Sequence, residues 1–108
     1  MSQQHEIGTV SDFETEVARQ VIVDGHPLCV VRTKDGQVHA IDDTCTHADV
    51  SLADGEVEDD TIECWLHGSR FSLTTGQPTG LPATVPVAVH EIAIKDERVL
   101  VALKEKTP

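Results

Sequence analysis

Four side chains able to bind a soft metal fall in two short clusters. Cys45-Thr46-His47 is followed, after sixteen residues, by Cys64-Trp65-Leu66-His67. Two thiols and two imidazoles in matched order suit zinc or an iron–sulfur centre. They do not suit calcium or magnesium, which take oxygen ligands. Each pair sits in a short loop, so its side chains can converge without a helix to space them. Taken singly, each residue reads as a buried thiol or a surface imidazole; two mirrored pairs favour a shared metal. A C-x-H half is unusual for Cys2His2 zinc sites, whose spacings are typically C-x2–4-C and H-x3–5-H. The third cysteine, Cys29, lies in a β-like run and reads as a small core residue. His5, His26, His39 and His90 have no ligand-like neighbours in sequence and read as surface or turn residues. His39 alternates with Val38 and Ala40 and so is expected to face outward.

The segments that must position these clusters are short and β-like. Gln20–Asp24 ends at Asp24-Gly25, and Leu28–Thr33 follows. Lys34-Asp35-Gly36 then reads as a hairpin turn into Gln37–Asp42. Thr61–Cys64 and Ser69–Leu73 flank the second cluster, with Thr74-Thr75-Gly76 as a further turn. Val87–Lys95 alternates apolar and polar residues, and Lys95-Asp96-Glu97 leads back into Val99–Leu103. Only Ser11–Gln20 has a helix signature, Ser11 with Glu14 three residues on. The expected fold class is all-β: one antiparallel domain over residues 1–108, a small sandwich or barrel. Residues 43–86 differ from their flanks in Gly, Pro and acidic content. They read as a loop-rich subdomain set into the β base.

Composition narrows the partners. The 108 residues carry eight Lys and Arg against nineteen Asp and Glu, a net charge of −11. Such a surface repels nucleic-acid phosphates and anionic headgroups, and it suits either plain solubility or a basic patch on another protein. The acidic stretch Asp54–Asp60 allows the same two readings, solvated loop or docking patch, and Arg70 is placed to pair with one of its acids. The start, MSQQHEIGTV, has no basic or apolar segment, and no run approaches a membrane span of about 18 residues. A cytoplasmic protein without membrane or nucleic-acid contact is expected. Three cysteines in such a chain bind metal or stay free rather than form a disulfide framework.

Several motifs together resemble a known family. Cys45-Thr46-His47, Gly55 in the acidic loop, Cys64-Trp65-Leu66-His67-Gly68-Ser69, Thr75-Gly76 and Pro82 are similar to a Rieske domain. The likeness is greatest to the Rieske ferredoxins of bacterial ring-hydroxylating oxygenase systems, and it runs from about Val21 to Leu103. It implies one [2Fe–2S] cluster, with Cys45 and Cys64 on the inner iron and His47 and His67 on the outer one. It also implies that Gly68 turns the second loop tightly and that Leu81–Pro86 covers the cluster. Trp65, between two ligands, would shield the cluster, line a docking face or simply pack.

Departures from the respiratory branch carry information. That branch adds a bridging cysteine to each ligand loop, where this chain has Val50 and Leu66. It also places a Tyr four residues after the second His, where this chain has Phe71 and no hydroxyl; Ser69 is kept. Fewer hydrogen bonds to sulfur and the acids between His47 and Cys64 both disfavour the reduced cluster. A potential near the −150 mV end of the Rieske range is therefore expected. The resemblance implies a one-electron carrier, not an enzyme, between a flavin-dependent ferredoxin reductase and a terminal oxygenase. Alternatives are a Rieske protein of iron–sulfur cluster assembly, the small subunit of a nitrite reductase, and a structural zinc adaptor.

Overall fold

Leu28, Cys29, Val30 and Val31 are all fully buried, which requires cover on both faces of the strand that holds them. That strand lies inside the sheet, one place from its edge, in the computed structural model, which describes residues 4–45, 50–66, 68–79 and 85–103. Among the described residues there are nine strands: β1 (Gln4–Thr9), β2 (Ala18–Val23), β3 (His26–Arg32), β4 (Val38–Asp42), β5 (Val57–Glu58), β6 (Thr61–Glu63), β7 (Arg70–Ser72), β8 (Val89–Lys95) and β9 (Arg98–Ala102). Six form one antiparallel sheet in the order β1-β9-β8-β4-β3-β2, and β5-β6-β7 form a second. Among the described residues there is no α-helix, as an all-β reading requires.

The two faces of β3 and β4 feed two cores. Leu28, Val30, Val38 and Ala40 pack with Phe13, Val23, Val99 and Val101 inside the large sheet. Cys29, Val31 and Ile41 point the other way and meet Leu52, Ile62, Phe71, Leu73 and Val87. The second core joins the large sheet to the small one. This explains why β3 reads as an unbroken apolar run while β8, half covered, alternates.

Tight turns set the register. Asp24 and Gly25 both take positive φ and join β2 to β3 with Val23 opposite His26. Asp96 and Glu97 do the same between β8 and β9, at φ of 50° and 68°. Both turns match the right-handed twist of their strands.

The structure departs from the sequence reading in two places. The Ser11–Gln20 helix does not form. A single 3-10 turn spans Val10–Asp12, and Asp12, rather than Glu14, reaches back to take the Thr9 N–H at 2.9 Å. Phe13 is drawn into the core beneath the Arg19 guanidinium, and Glu16 adopts positive φ. Ala18 onward pairs with β3. Ten residues cannot sustain a helix without a packed apolar stripe, and a buried sheet neighbour outweighs a capping signal. The second change is β1, a polar strand (QHEIGT) that pairs with β9 and has an irregularity between Glu6 and Gly8. Its sequence carries no strand signal, because it is an edge strand added by tertiary pairing.

Candidate metal centre

The first Cys-His loop leaves the end of β4. Asp43, one residue past the strand, is buried and fully engaged. Its carboxylate accepts from Gln20 Nε2 at 2.7 Å, Ser51 Oγ at 2.5 Å and the Ala53 N–H at 2.9 Å. Its own N–H donates to the Pro27 carbonyl, and its carbonyl accepts from the Leu52 N–H at 2.6 Å. Asp43 thus ties β2, β3 and the 3-10 turn Leu52–Asp54 to the base of the loop. Thr44 bridges Ser51, and the Cys45 N–H closes the loop on the Val50 carbonyl at 3.0 Å.

The second loop is the tip of the β6–β7 hairpin. The Cys64 N–H closes it on the Ser69 carbonyl at 2.6 Å, and the Gly68 N–H returns to the Cys64 carbonyl at 2.9 Å. Gly68 has φ of +77°, a conformation that costs other residues free energy. The two loops therefore share one construction: each begins at a cysteine whose N–H bonds the carbonyl five residues on. They also touch. Gly55 lies so close to β6 that a Cβ there would sit 1.7 Å from the Glu63 carbonyl oxygen, and the Glu63 N–H donates to the Glu56 carbonyl.

Cys45 and Cys64 are 3% and 0% exposed and belong to one buried cluster. No disulfide links the three cysteines. Cys29 lies in the same cluster on β3, and burial, with help from the Asp43 carboxylate, pushes its thiol up to about 12. It behaves as the small neutral core residue expected from its run. His47 and His67 lie outside the described residues, as do Leu81–Thr84 of the expected covering segment. Two thiols buried in one core cluster are a donor set that fits a thiophilic metal centre.

Around this centre the surface is apolar at the tip and acidic at the rim. Trp65 and Leu66 are exposed, as is Val85. A shallow recess beside Trp65 is lined by Asp54, Gly55, Glu56 and Glu63. Arg70 pairs with Glu63 at 2.9 Å and with Glu58 at 3.4 Å, which settles the partner left open by the sequence. Phe71 is fully buried under the loops.

A Rieske [2Fe–2S] domain family model matches residues 3–91, most of the chain. This chain belongs to the Rieske [2Fe–2S] family. A [2Fe–2S] cluster is accordingly its cofactor, which agrees with the two buried thiols. The ferredoxin CarAc of Metapseudomonas resinovorans is 42% identical over 97 residues, 89% of this chain and 90% of that one. Among solved structures, the ferredoxin of carbazole 1,9a-dioxygenase from Nocardioides aromaticivorans IC177 superposes with a TM-score of 0.90 at 35% identity. The match covers 95% of this Rieske chain and 100% of that one. A ferredoxin-like match also comes from a complex of reduced oxygenase and oxidized ferredoxin in carbazole 1,9a-dioxygenase. Its TM-score is 0.85 at 40% identity, covering 91% of this chain and 100% of that one.

One part of the sequence reading is corrected. His26 and His90 are not free surface or turn residues. His90 is buried on β8, and both rings meet Asp42: His26 Nε2 lies 2.7 Å and His90 Nε2 2.8 Å from the same Oδ1. Burial pushes the Asp42 carboxyl up, but the hydrogen bonds from His90 and His26 outweigh it and hold it at about 2. No local signal marked these residues. They meet only through the register of three strands, whereas Cys45 and Cys64 each stand in a recognisable loop.

Proposed function

We propose that this Rieske protein is a one-electron carrier of a ring-hydroxylating oxygenase system. It takes an electron from a flavin-dependent ferredoxin reductase and gives it to a terminal oxygenase. The observation that carries this reading is that Cys45 and Cys64, whose N–H groups each bond the carbonyl five residues on, are buried in one core cluster while Trp65 and Leu66 stand exposed just after Cys64. Ferredoxin components of dioxygenase systems, similar over nine-tenths of their length, support it. On this reading the chain performs no substrate chemistry, is cytoplasmic and folds as one domain with its cluster subdomain at about 43–86. Among the described residues no helix is long and apolar enough to cross a membrane.

Cys45, His47, Cys64 and His67 are the ligands in this proposal. The cluster, when bound, supplies a one-electron couple; the rest is done by the chain. The packed loop bases keep water from the Cys45 and Cys64 sulfurs. The register fixed by Asp43 and Gly55 keeps the two loops from moving when the charge changes, which holds the reorganisation energy down. Trp65 and Leu66 offer a partner an apolar contact with acids around it. Phe71 brings no hydroxyl to the sulfurs, so a potential near −150 mV is expected.

The purified protein should hold iron and acid-labile sulfide and, after dithionite, give an EPR signal of lower average g than an all-cysteine [2Fe–2S] cluster. Cys45→Ser or His67→Ala should abolish the visible spectrum, and Cys29→Ala should leave it. Zinc at full occupancy without sulfide would defeat the proposal in favour of a structural zinc module. Bleaching by Cys29→Ala would defeat the ligand assignment alone.

A further inference from the structure

The geometry points to a second, mononuclear metal site on this chain, in which His26, Asp42 and His90 hold a divalent transition-metal ion of the zinc type. The three residues come from neighbouring strands of the large sheet. Leu28 pairs with Asp42 and Ala40 with His90, so His26, Asp42 and His90 fall on one face, at one end of β3, β4 and β8. Their ligand atoms all lie within 4.8 Å of one another. The two imidazoles stand edge to face, centroids 5.5 Å apart at 77°, with both Nε2 atoms directed at Asp42 Oδ1.

Two imidazole nitrogens and one carboxylate are the donor set of zinc and its first-row neighbours, and a poor one for calcium or magnesium. The site is closed on one side and open on the other. The His90 side chain is 2% exposed, while those of His26 and Asp42 are 32% and 24% exposed. An ion can therefore enter past His26, take three protein ligands and complete its shell with water. The present separations of 2.7 and 2.8 Å are those of hydrogen bonds. Tetrahedral bonds of roughly 2.0–2.1 Å put neighbouring donors about 3.3 Å apart, so the rings and the carboxylate must part by about 0.5 Å. The half-exposed His26 has room to supply that shift. Each ring must also give up its Nε2 proton, to Nδ1 or to solvent, so binding weakens at low pH. A chain with a net charge of −11 draws cations toward it. The site shares no ligand with the proposed cluster site.

Zinc is the probe. The holoprotein, with two irons per chain counted in the same sample, is washed with chelator, dialysed against micromolar zinc and analysed for both metals. The expected result is about one zinc per chain on top of undiminished iron. His26→Gln and Asp42→Asn should each weaken zinc binding at least about tenfold with the visible spectrum intact, and His5→Gln should change nothing. His26 is partly exposed, so its variant keeps the test sound even where a change at buried His90 prevents folding. No zinc beyond the washed baseline, or equal zinc in the His26→Gln and Asp42→Asn variants, would overturn the site and leave a hydrogen-bonded staple of three strands. Neither outcome bears on whether the protein carries electrons.

Discussion

At the scale of single residues, Asp42 shows how far one contact governs stability. One carboxylate oxygen accepts from two imidazoles, and the group titrates at about 2 instead of near 3.8. A carboxyl whose folded value is depressed stabilises the fold above its unfolded value and loses that contribution as pH falls through the folded one. The contribution is therefore complete above about pH 4, fades between about pH 4 and pH 2, and amounts to about 2 kcal/mol. Asp42→Asn should lower the urea midpoint at pH 6, and the gap from the parent should close as pH approaches 2. Parallel curves across that window, followed by far-UV circular dichroism, would show that the two imidazoles do not stabilise the ionised carboxylate. None of this was legible in the sequence. The three residues are 16 and 48 positions apart in pairs with Asp42, and only strand register brings them together. Cys45 and Cys64, which share one buried cluster, could be singled out as candidates because each stands in a short loop with a His close by in sequence.

At the scale of elements, the two Cys-His loops depend on backbone contacts more than on side-chain packing. Gly55 has φ of −90°, which any residue adopts, so its constraint is space alone. A methyl group there would collide with the Glu63 carbonyl and push the first loop's 3-10 turn off β6. Gly55→Ala should cost about 3 kcal/mol or more and speed cluster loss, since the clash is with backbone that cannot swing aside. A thermal melt with parallel bleaching at the cluster's visible band measures both effects; an unchanged melt would mean that the loops are not braced this way. Asp43→Ala should act on the same brace from the other side. It strands Gln20, Ser51 and the Ala53 N–H without their acceptor, at roughly 2–4 kcal/mol. The strands themselves were readable where turns and alternation spoke together, as in Val87–Lys95 and its return. The reading failed at Ser11–Gln20, where a local helix signal met the unmet edge of β3, and at β1, whose pairing with β9 no local pattern announces.

At the scale of the whole molecule, the proposed carrier role divides the work of recognition between charge and exposed apolar surface. Nineteen acids against eight bases give a field that extends about a Debye length into solution and orients an approaching basic surface. Trp65 is half exposed beside Leu66 and ringed by Asp54, Glu56 and Glu63, and on the proposed role it supplies the contact that excludes water once the partner has arrived. The two contributions separate experimentally. If the chain serves a terminal oxygenase as proposed, raising salt from about 20 mM to about 500 mM should slow electron delivery to that oxygenase by reducing encounter, with the single-turnover rate inside the complex little changed. Trp65→Ala should instead weaken the complex about tenfold at every salt concentration, because an aromatic side chain at the centre of an interface carries a large share of its energy. A side chain this exposed adds little to the core, so the variant should melt within a few degrees of the parent and keep its potential. If Trp65→Ala left complex formation untouched while shifting the potential, the indole would be a shield for the cluster and the partner would dock elsewhere.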